Sequence, residues 1–498
     1  MKKLPLIFLL LVTVSLHAQS QLVARVHFLG ASRIAADTNA TAFAPEFSSN
    51  EARALESEAA TKLSAWAAGW LSQTIGTTVP DGATKLRPLI DDLQRSEWIF
   101  EQHADANGQS DVIMAVQLDD AHAQTWQGNL APFFAGAKNH FDTLRSQRWL
   151  ILYYGVKPLA TADVDQLIQA LKADNNRWLT MDIDWPRLTQ LVPALRGFDF
   201  PRFAFQVVAH DGNFQIDGKL SLSQPLPSLP RWHIPTNTIH APFISFTAAR
   251  GIGPWLGKQD WFRPYLLEPQ PEQMCIWALP DHPYETFAIE PVPDANAALV
   301  ALHKNLSTTI DWQNHFMTPL TLSLTNDQIS VIGIPFYLLP YFQTVHDPSG
   351  DFLLGGFFPN TPRSKPWPAE LLARFDNPNL VFYHWEITGD RLKELPQLTQ
   401  LMLMTTRHLQ LDGASTGFQW IARLESLRSA SVTTVTETSP TELSFSRKSP
   451  TALTAIELFM LADWIESPKF PALDLRAPER KHGKHAASPA APPANPPN

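Results

Sequence analysis

Short runs in which every second residue is apolar alternate along this chain with stretches whose apolar residues recur every three or four. The first kind predicts strands, and turn chemistry pairs them into hairpins. Glu97 to Glu101 and Asp111 to Val116 flank Asn107-Gly108, a dipeptide suited to a tight turn. Phe203 to Ala209 and Phe214 to Leu222 flank His210-Asp211-Gly212-Asn213. Leu320 to Thr325 and Gln328 to Ile332 flank Asn326-Asp327, and Val432 to Thr436 and Glu442 to Arg447 flank Ser439-Pro440. The second kind predicts helices over 50–73, 161–173 and 451–465, the last opening after Pro450.

Two pairs of segments repeat a layout. RWLTMDIDWPRLTQLV (177–192) and NLVFYHWEITGDRLKEL (379–395) each run from a strand into a helix. DVIMAVQLD (111–119) and TFAIEPVPD (286–294) each enter a helix at an acidic residue. A strand–helix–hairpin unit used four or five times follows, and with it an α+β fold of antiparallel sheets packed with helices. The segment 224–242 (QPLPSLPRWHIPTNTIHAP) holds five prolines, which remove donors and fix the backbone, so no helix or central strand continues through it. It divides the body into two expected lobes, 21–224 and 243–466, with 225–242 as connector.

The ends add a destination. Lys2 and Lys3 precede the apolar run Leu4 to Leu16 and the small residues Ala18-Gln19-Ser20, the layout of a cleaved export signal over 1–20. The apolar run is too short to span a bilayer as a helix. Cleavage falls after Ala18 or Ser20, and the mature chain is expected in the periplasm or cell envelope with no membrane span. Cys275 is the only cysteine, so no intramolecular disulfide forms, and its apolar setting predicts a buried, inert thiol. From 467 the chain turns to Pro and Ala, a composition that predicts a disordered tail. The net charge is −9. The tail carries +3 and Lys2 and Lys3 add +2, which leaves −14 on residues 21–466. An acidic body argues against nucleic acid as a partner.

Catalytic patterns are scarce. G-A-S-T-G at 413–417 matches a nucleophile elbow, yet no strand-like run precedes Ser415, and the histidines after it are His482 and His485 in the tail. Thr416-Gly417-Phe418-Gln419 reads instead as a capping box opening a helix, with Gly413 ending the one before. Asp105 to Asp111 lacks the glycine and glutamate positions of a calcium loop and reads as a turn. Asp91-Asp92 and Asp119-Asp120 are expected at helix starts, where the helix dipole favours acid. No H-E-x-x-H, P-loop or complete G-x-G-x-x-G occurs, so no catalytic residue, metal site or cofactor is assigned. Most tryptophans lie in apolar runs as core residues. Trp232 and Trp255, with Arg231 and Arg250, instead flank the Pro-rich segment and are the candidate ligand-binding residues.

FISFTAARGIGPWL (243–256), NLVFYHWEITGDRL (379–392) and ELSFSRKSPTALTAIELFMLADWIESPKFP (442–471) resemble exported bacterial proteins of an uncharacterised, domain-of-unknown-function family. The likeness covers most of 22–471. It implies export and assigns no activity. The expected function is a non-enzymatic binding or structural component of the envelope, with an envelope protein or glycan as partner. The alternatives are an exported hydrolase with dispersed catalytic residues and a periplasmic ligand-binding component of transport or sensing.

Overall fold

The computed structural model describes residues 21–42, 47–173, 177–192, 200–251, 253–257, 271–280, 285–313, 320–333, 339–358, 367–406 and 414–472. The expected signal peptide, Gly413 and residues 473–498 of the expected tail lie outside them. The fold is α+β. The first half contributes β1 (Gln21–Phe28), β2 (Trp98–Ala104), β3 (Ser110–Gln117), β4 (His140–Ser146), β5 (Trp149–Gly155), β6 (Leu179–Ile183), β7 (Arg202–His210) and β8 (Asn213–Ser221). The second contributes β9 (Ser245–Arg250), β10 (Gln273–Ala278), β11 (Thr286–Val292), β12 (Thr321–Leu324), β13 (Gln328–Ile332), β14 (Tyr341–Asp347), β15 (Gly350–Gly356), β16 (Leu380–Ile387), β17 (Ala430–Ser439) and β18 (Glu442–Ser449).

All 18 described strands join one sheet through antiparallel ladders. In the first half β1 lies between β2 and β6. β2 continues to β3, β5 and edge strand β4, and β6 continues to β7 and β8. In the second half β9 lies between β10 and β16. β10 continues to β11, β15, β14, β13 and edge strand β12, and β16 continues to β17 and β18. The halves meet where β8 pairs with β18, from Glu442↔Ser221 to Ser449↔Phe214.

Side chains alternate between the two sheet faces, so this register decides what each face carries. One face is helical. Over the first half, α1 (Asn50–Ile75), α2 (Gly82–Arg95) and α3 (Asp120–Phe134) bury Val26, Phe100, Met114, Val116 and Leu150. Over the second, α6 (Ala295–Gln313) covers Ile329 and Leu353. Between them α7 (Thr388–Thr406), α8 (Thr416–Leu424) and α9 (Ala455–Glu466) form a helical cluster that also takes Leu55 of α1. On the opposite face α4 (Thr161–Ala173) covers Ile99, Ile113 and Ile151. There too Ile239, Ala241, Trp367 and Leu371 cover Phe246, Cys275, Trp277 and Leu354. The short α5 (Trp185–Leu191) closes one end against Val23 and Ile183.

The four hairpins expected from turn residues form as β2–β3, β7–β8, β12–β13 and β17–β18. Gly108 has φ 79° and Gly212 φ 66°, the left-handed turn conformation that glycine accepts at no steric cost. Asp105 accepts hydrogen bonds from Asn107 N (2.9 Å) and Gln109 N (2.8 Å), so the acidic stretch after β2 is a turn. Cys275 is buried, and desolvation pushes its thiol up to about 12.

Several sequence expectations are corrected. Asp91 and Asp92 sit in the last turns of α2 rather than at a helix start: Asp91 pairs with Arg87 (2.9 Å) and Asp92 accepts from Trp126 Nε1 (2.8 Å). The last helix opens at Ala455, later than the proline rule placed it, because Thr454 and Glu457 form a reciprocal capping box. Residues 467–472, counted with the tail, close onto the body. Phe470 is buried with its ring 4.8 Å from that of Trp464, an apolar contact that composition averaged over the whole tail conceals.

The cap of α8 is also one residue earlier than its pattern suggests. Ser415 itself is the cap, its hydroxyl accepting from Phe418 N at 3.2 Å, and Thr416 is the first helical residue. Ser415→Ala should therefore lower stability by roughly 1 kcal/mol in equilibrium urea unfolding, whereas Thr416→Ala should change it by less than about half as much. The reverse order of effects would show that the cap is misassigned.

Candidate functional site

On the face opposite α1 and α9, between the cover of α4 and that of residues 239–243, no described segment covers the central strands. Here β6, β7, β8 and β18 present polar side chains in two rows. One row runs Thr180, Gln206, Asp217, Ser446; the other runs Asp182, Ala204, Lys219, Ser444. A groove of about 400 Å³ lies over them, lined by Arg177, Thr180, Gln206, Asp217, Lys219 and Ser444. Asp217 Oδ1 accepts from Gln215 Nε2 (2.9 Å) and Ser446 Oγ (2.8 Å). Lys219 Nζ lies 3.1 Å from Glu442, whose carboxyl is held below its usual range by the hydrogen bonds from Lys219 and Thr438. Arg202 grips Asp182 through two nitrogens at 3.0 to 3.2 Å. The Gln206 carboxamide has no partner among the described residues. The groove thus offers donors and acceptors in strand-spaced rows, with one free amide at its centre.

The constellation nearest to a catalytic one lies on the other face, under α9. Thr247 Oγ1 is 2.8 Å from His384 Nδ1, and His384 Nε2 is 3.3 Å from Glu386 Oε2. Hydroxyl, imidazole and carboxylate therefore stand in the order that nucleophilic catalysis uses. Glu386 Oε1, however, accepts from Ala455 N (2.7 Å) and Thr388 Oγ1 (3.2 Å). From Thr388 a chain of buried hydroxyls continues through Ser431 (2.7 Å) and Ser449 (2.8 Å) to Thr451 (3.3 Å), which donates to Leu453 O (2.7 Å). Beside it Arg447 binds Glu457 through both terminal nitrogens at 2.7 and 3.0 Å and donates to Thr433 (2.8 Å). A carboxylate at the first N–H of α9 satisfies an otherwise orphaned donor and favours the helix dipole. This network clips α9 to the sheet.

Other titratable groups are separate from both places. Glu97 accepts from buried His27 (3.0 Å) and from Arg33, which together hold its carboxyl below its usual range against desolvation. Glu101 is held low in the same way by His103 and Arg25. Glu290 and Glu394 go the other way, burial pushing each up to about 7. Among the described residues, no group of three or more His, Cys, Asp or Glu side chains is placed to hold a metal ion. No described helix is long and apolar enough to cross a membrane.

The four residues singled out beside the Pro-rich segment occupy different environments. Arg250 is 2% exposed, donating from Nε to Leu380 O (2.7 Å) and from its terminal nitrogens to Pro230 O and Pro378 O. Burial holds its guanidinium below its usual range, offset in part by Glu437. It also stacks 4.7 Å from the ring centroid of half-buried Trp232, which meets Phe375 edge-on at 5.2 Å. Arg231 is exposed, and its carbonyl accepts from Gln273. Trp255 lies in the short helix Gly253–Leu256, with its side chain outside the described set. Arg250 and Trp232 touch, and Arg250, with its donors placed on three carbonyls, is a strut between the connector and the sheet, whereas Trp232 Nε1 is buried without a hydrogen-bond partner among the described residues. Nothing local in the sequence marks Gln206, Asp217 or Ser444 as neighbours, since Ser446 and Asp217 are 229 positions apart.

Comparison with family models, with curated proteins and with solved structures gives no match to this chain. Replacing the buried strut tests its role directly. Arg250→Met leaves three carbonyls without their donor, and should destabilise by roughly 3 kcal/mol while removing no exposed charge. A stable Arg250→Met variant would make this residue a candidate ligand contact again.

Proposed function

We propose that this chain is an exported envelope protein that binds its partner without transforming it, and that the groove over β6, β7, β8 and β18 is where it binds. The observation that carries this reading is the groove itself, a stretch of sheet at the junction of the halves where Gln206, Asp217, Lys219 and Ser444 stand among the apolar Met181, Ala204 and Phe205. Hydrogen-bonding groups there repeat at strand intervals of about 4.8 Å across the sheet. An extended, hydroxyl-rich glycan presents complementary groups along its length, and the free Gln206 amide beside Asp217 suits a pair of neighbouring hydroxyls. The rival place is the corner of Arg231, Trp232 and Trp255.

The test uses mature protein recovered from the periplasm, whose first residue should be Gln19 or Gln21. Cosedimentation with isolated cell-wall glycan should show binding that Gln206→Ala and Asp217→Ala each weaken by about tenfold, with unchanged melting curves. Loss of binding in Arg231→Ala alone would move the site to the connector. A periplasmic chain beginning at Met1 would refute removal of the signal segment.

The arrangement Thr247–His384–Glu386 supports a second reading, an exported hydrolase with residues dispersed over β9 and β16. On that reading Thr247→Val abolishes hydrolysis of a simple p-nitrophenyl ester while the fold persists. On ours the purified protein shows no turnover above the uncatalysed rate, and Thr247→Val changes nothing.

A further inference from the structure

Asp217 lines the central groove with half of its carboxylate unused. Oδ1 accepts from Gln215 Nε2 at 2.9 Å and from Ser446 Oγ at 2.8 Å, both uncharged donors. Oδ2 has no partner among the described residues. The other charges around the groove are engaged: Lys219 pairs with Glu442 at 3.1 Å, Arg202 with Asp182 at 3.0 Å, and Arg177 has a partner of its own. Asp217 is therefore a half-buried anion without a countercharge among the described residues. Such a carboxylate binds a cationic donor more strongly than a neutral hydroxyl.

Its neighbours supply the rest of a cradle. Gln206 of β7 and Ser446 of β18 are the partners of Asp217 on either side, in one row across three strands. Cross-strand side chains on one face start about 5 Å apart, so their ends can converge on one small group. Three acceptors are available: Asp217 Oδ2, the Gln206 carboxamide oxygen, and the lone pairs of Ser446 Oγ, whose proton goes to Asp217. An ammonium group has three donors and no acceptor. The Gln206 amide nitrogen then remains to donate to a hydroxyl beside it.

We propose that this cradle takes a protonated amine of the bound glycan, so that the groove selects amino sugars whose nitrogen is free over those whose nitrogen is acetylated. The inference rests on the glycan reading above and names which glycan. A 2-amino sugar carries its amine and a hydroxyl on neighbouring ring carbons, matching the carboxylate and the amide side by side. Acetylation removes the charge and leaves a single N–H donor. The acidic body favours the same choice, because its field draws a cationic polymer towards the groove.

Calorimetry of the purified chain with a glucosamine hexamer and with its N-acetylated counterpart tests this. At about pH 6 the free-amine oligomer should bind at least about tenfold more tightly. A ring amine is a weaker base than lysine and closer to an α-amino group, so the preference should fade by about pH 9 as the proton is lost. Asp217→Asn keeps an oxygen for Gln215 and Ser446 but removes the charge, and should erase the preference with the melting temperature unchanged. Gln206→Ala should weaken both oligomers, since each loses its hydroxyl contact. Equal wild-type affinity for the two, weakened by Gln206→Ala, would overturn the amine assignment while the glycan groove stands. A preference that survives Asp217→Asn would trace to general attraction by the acidic body and would overturn it too. Binding of neither oligomer would overturn it outright.

Discussion

The pairing of β8 with β18 is the constraint on which the rest depends. Each half ends in a hairpin, and without the other each would expose an eight-residue edge of unpaired backbone groups. Joining them fixes more than proximity. Because side chains alternate, a slip of one residue would exchange the polar row Ser444–Ser446 with Phe445–Arg447, carrying the clip of α9 to the wrong face. The register is steric as well as hydrogen-bonded. Gly218 stands opposite Phe445 and Phe205, and a Cβ there would come within 2.6 Å of Ala204 O and 2.7 Å of Phe205 Cβ. Helix α1 then ties the halves a second time. Its Leu55 inserts among α7, α8 and α9, and Lys62 donates to Ile465 O (2.6 Å) and Glu466 O (3.1 Å), the orphaned carbonyls at the end of α9.

The Pro-rich segment is better understood as cover than as hinge. Ile239 and Ala241 are buried against the sheet, and Trp367 Nε1 donates to Ile239 O at 2.5 Å. Proline brings no N–H to satisfy, so such a segment lies over apolar side chains at small polar cost, but its carbonyls still need donors. Arg250 supplies them from within the sheet, reaching Pro230 on one side and Pro378 and Leu380 on the other. A guanidinium suits that place because it presents several donors in one plane.

Local structure was legible wherever it is decided locally. The Asn107-Gly108 and Asp211-Gly212 turns, the helix over 161–173 and the passage from strand into helix at Asp119 all follow from a few neighbouring residues. The cap of α8 was misplaced by one position because Ser415 and Thr416 are both good caps, and only tertiary placement chooses between them. Strand order was not legible. The partner of β8 lies more than two hundred residues away, and alternation in β8 and β18 is compatible with many neighbours. The groove inherits that difficulty, because its rows are assembled by pairing across both halves and no single segment contains more than a few of its residues.

That difference also separates the two places where chemistry is conceivable. Under α9 the strong groups are engaged except at His384 Nε2, which is buried without a hydrogen-bond partner among the described residues. Glu386 serves a helix N–H and a threonine, Arg447 serves Glu457, Thr433 and Ala452 O, and the hydroxyls serve one another. A buried network so satisfied lowers the energy of one arrangement, and any step that moved a proton or a side chain within it would orphan a neighbour. The central groove is the opposite case. Its charges pair at the rim, Lys219 with Glu442 and Arg202 with Asp182, where water screens them, and Gln206 keeps its carboxamide free among the described residues. Binding there, as proposed, would replace water without dismantling anything the fold needs, and the β8–β18 register that joins the halves is also what places Asp217 beside Ser446.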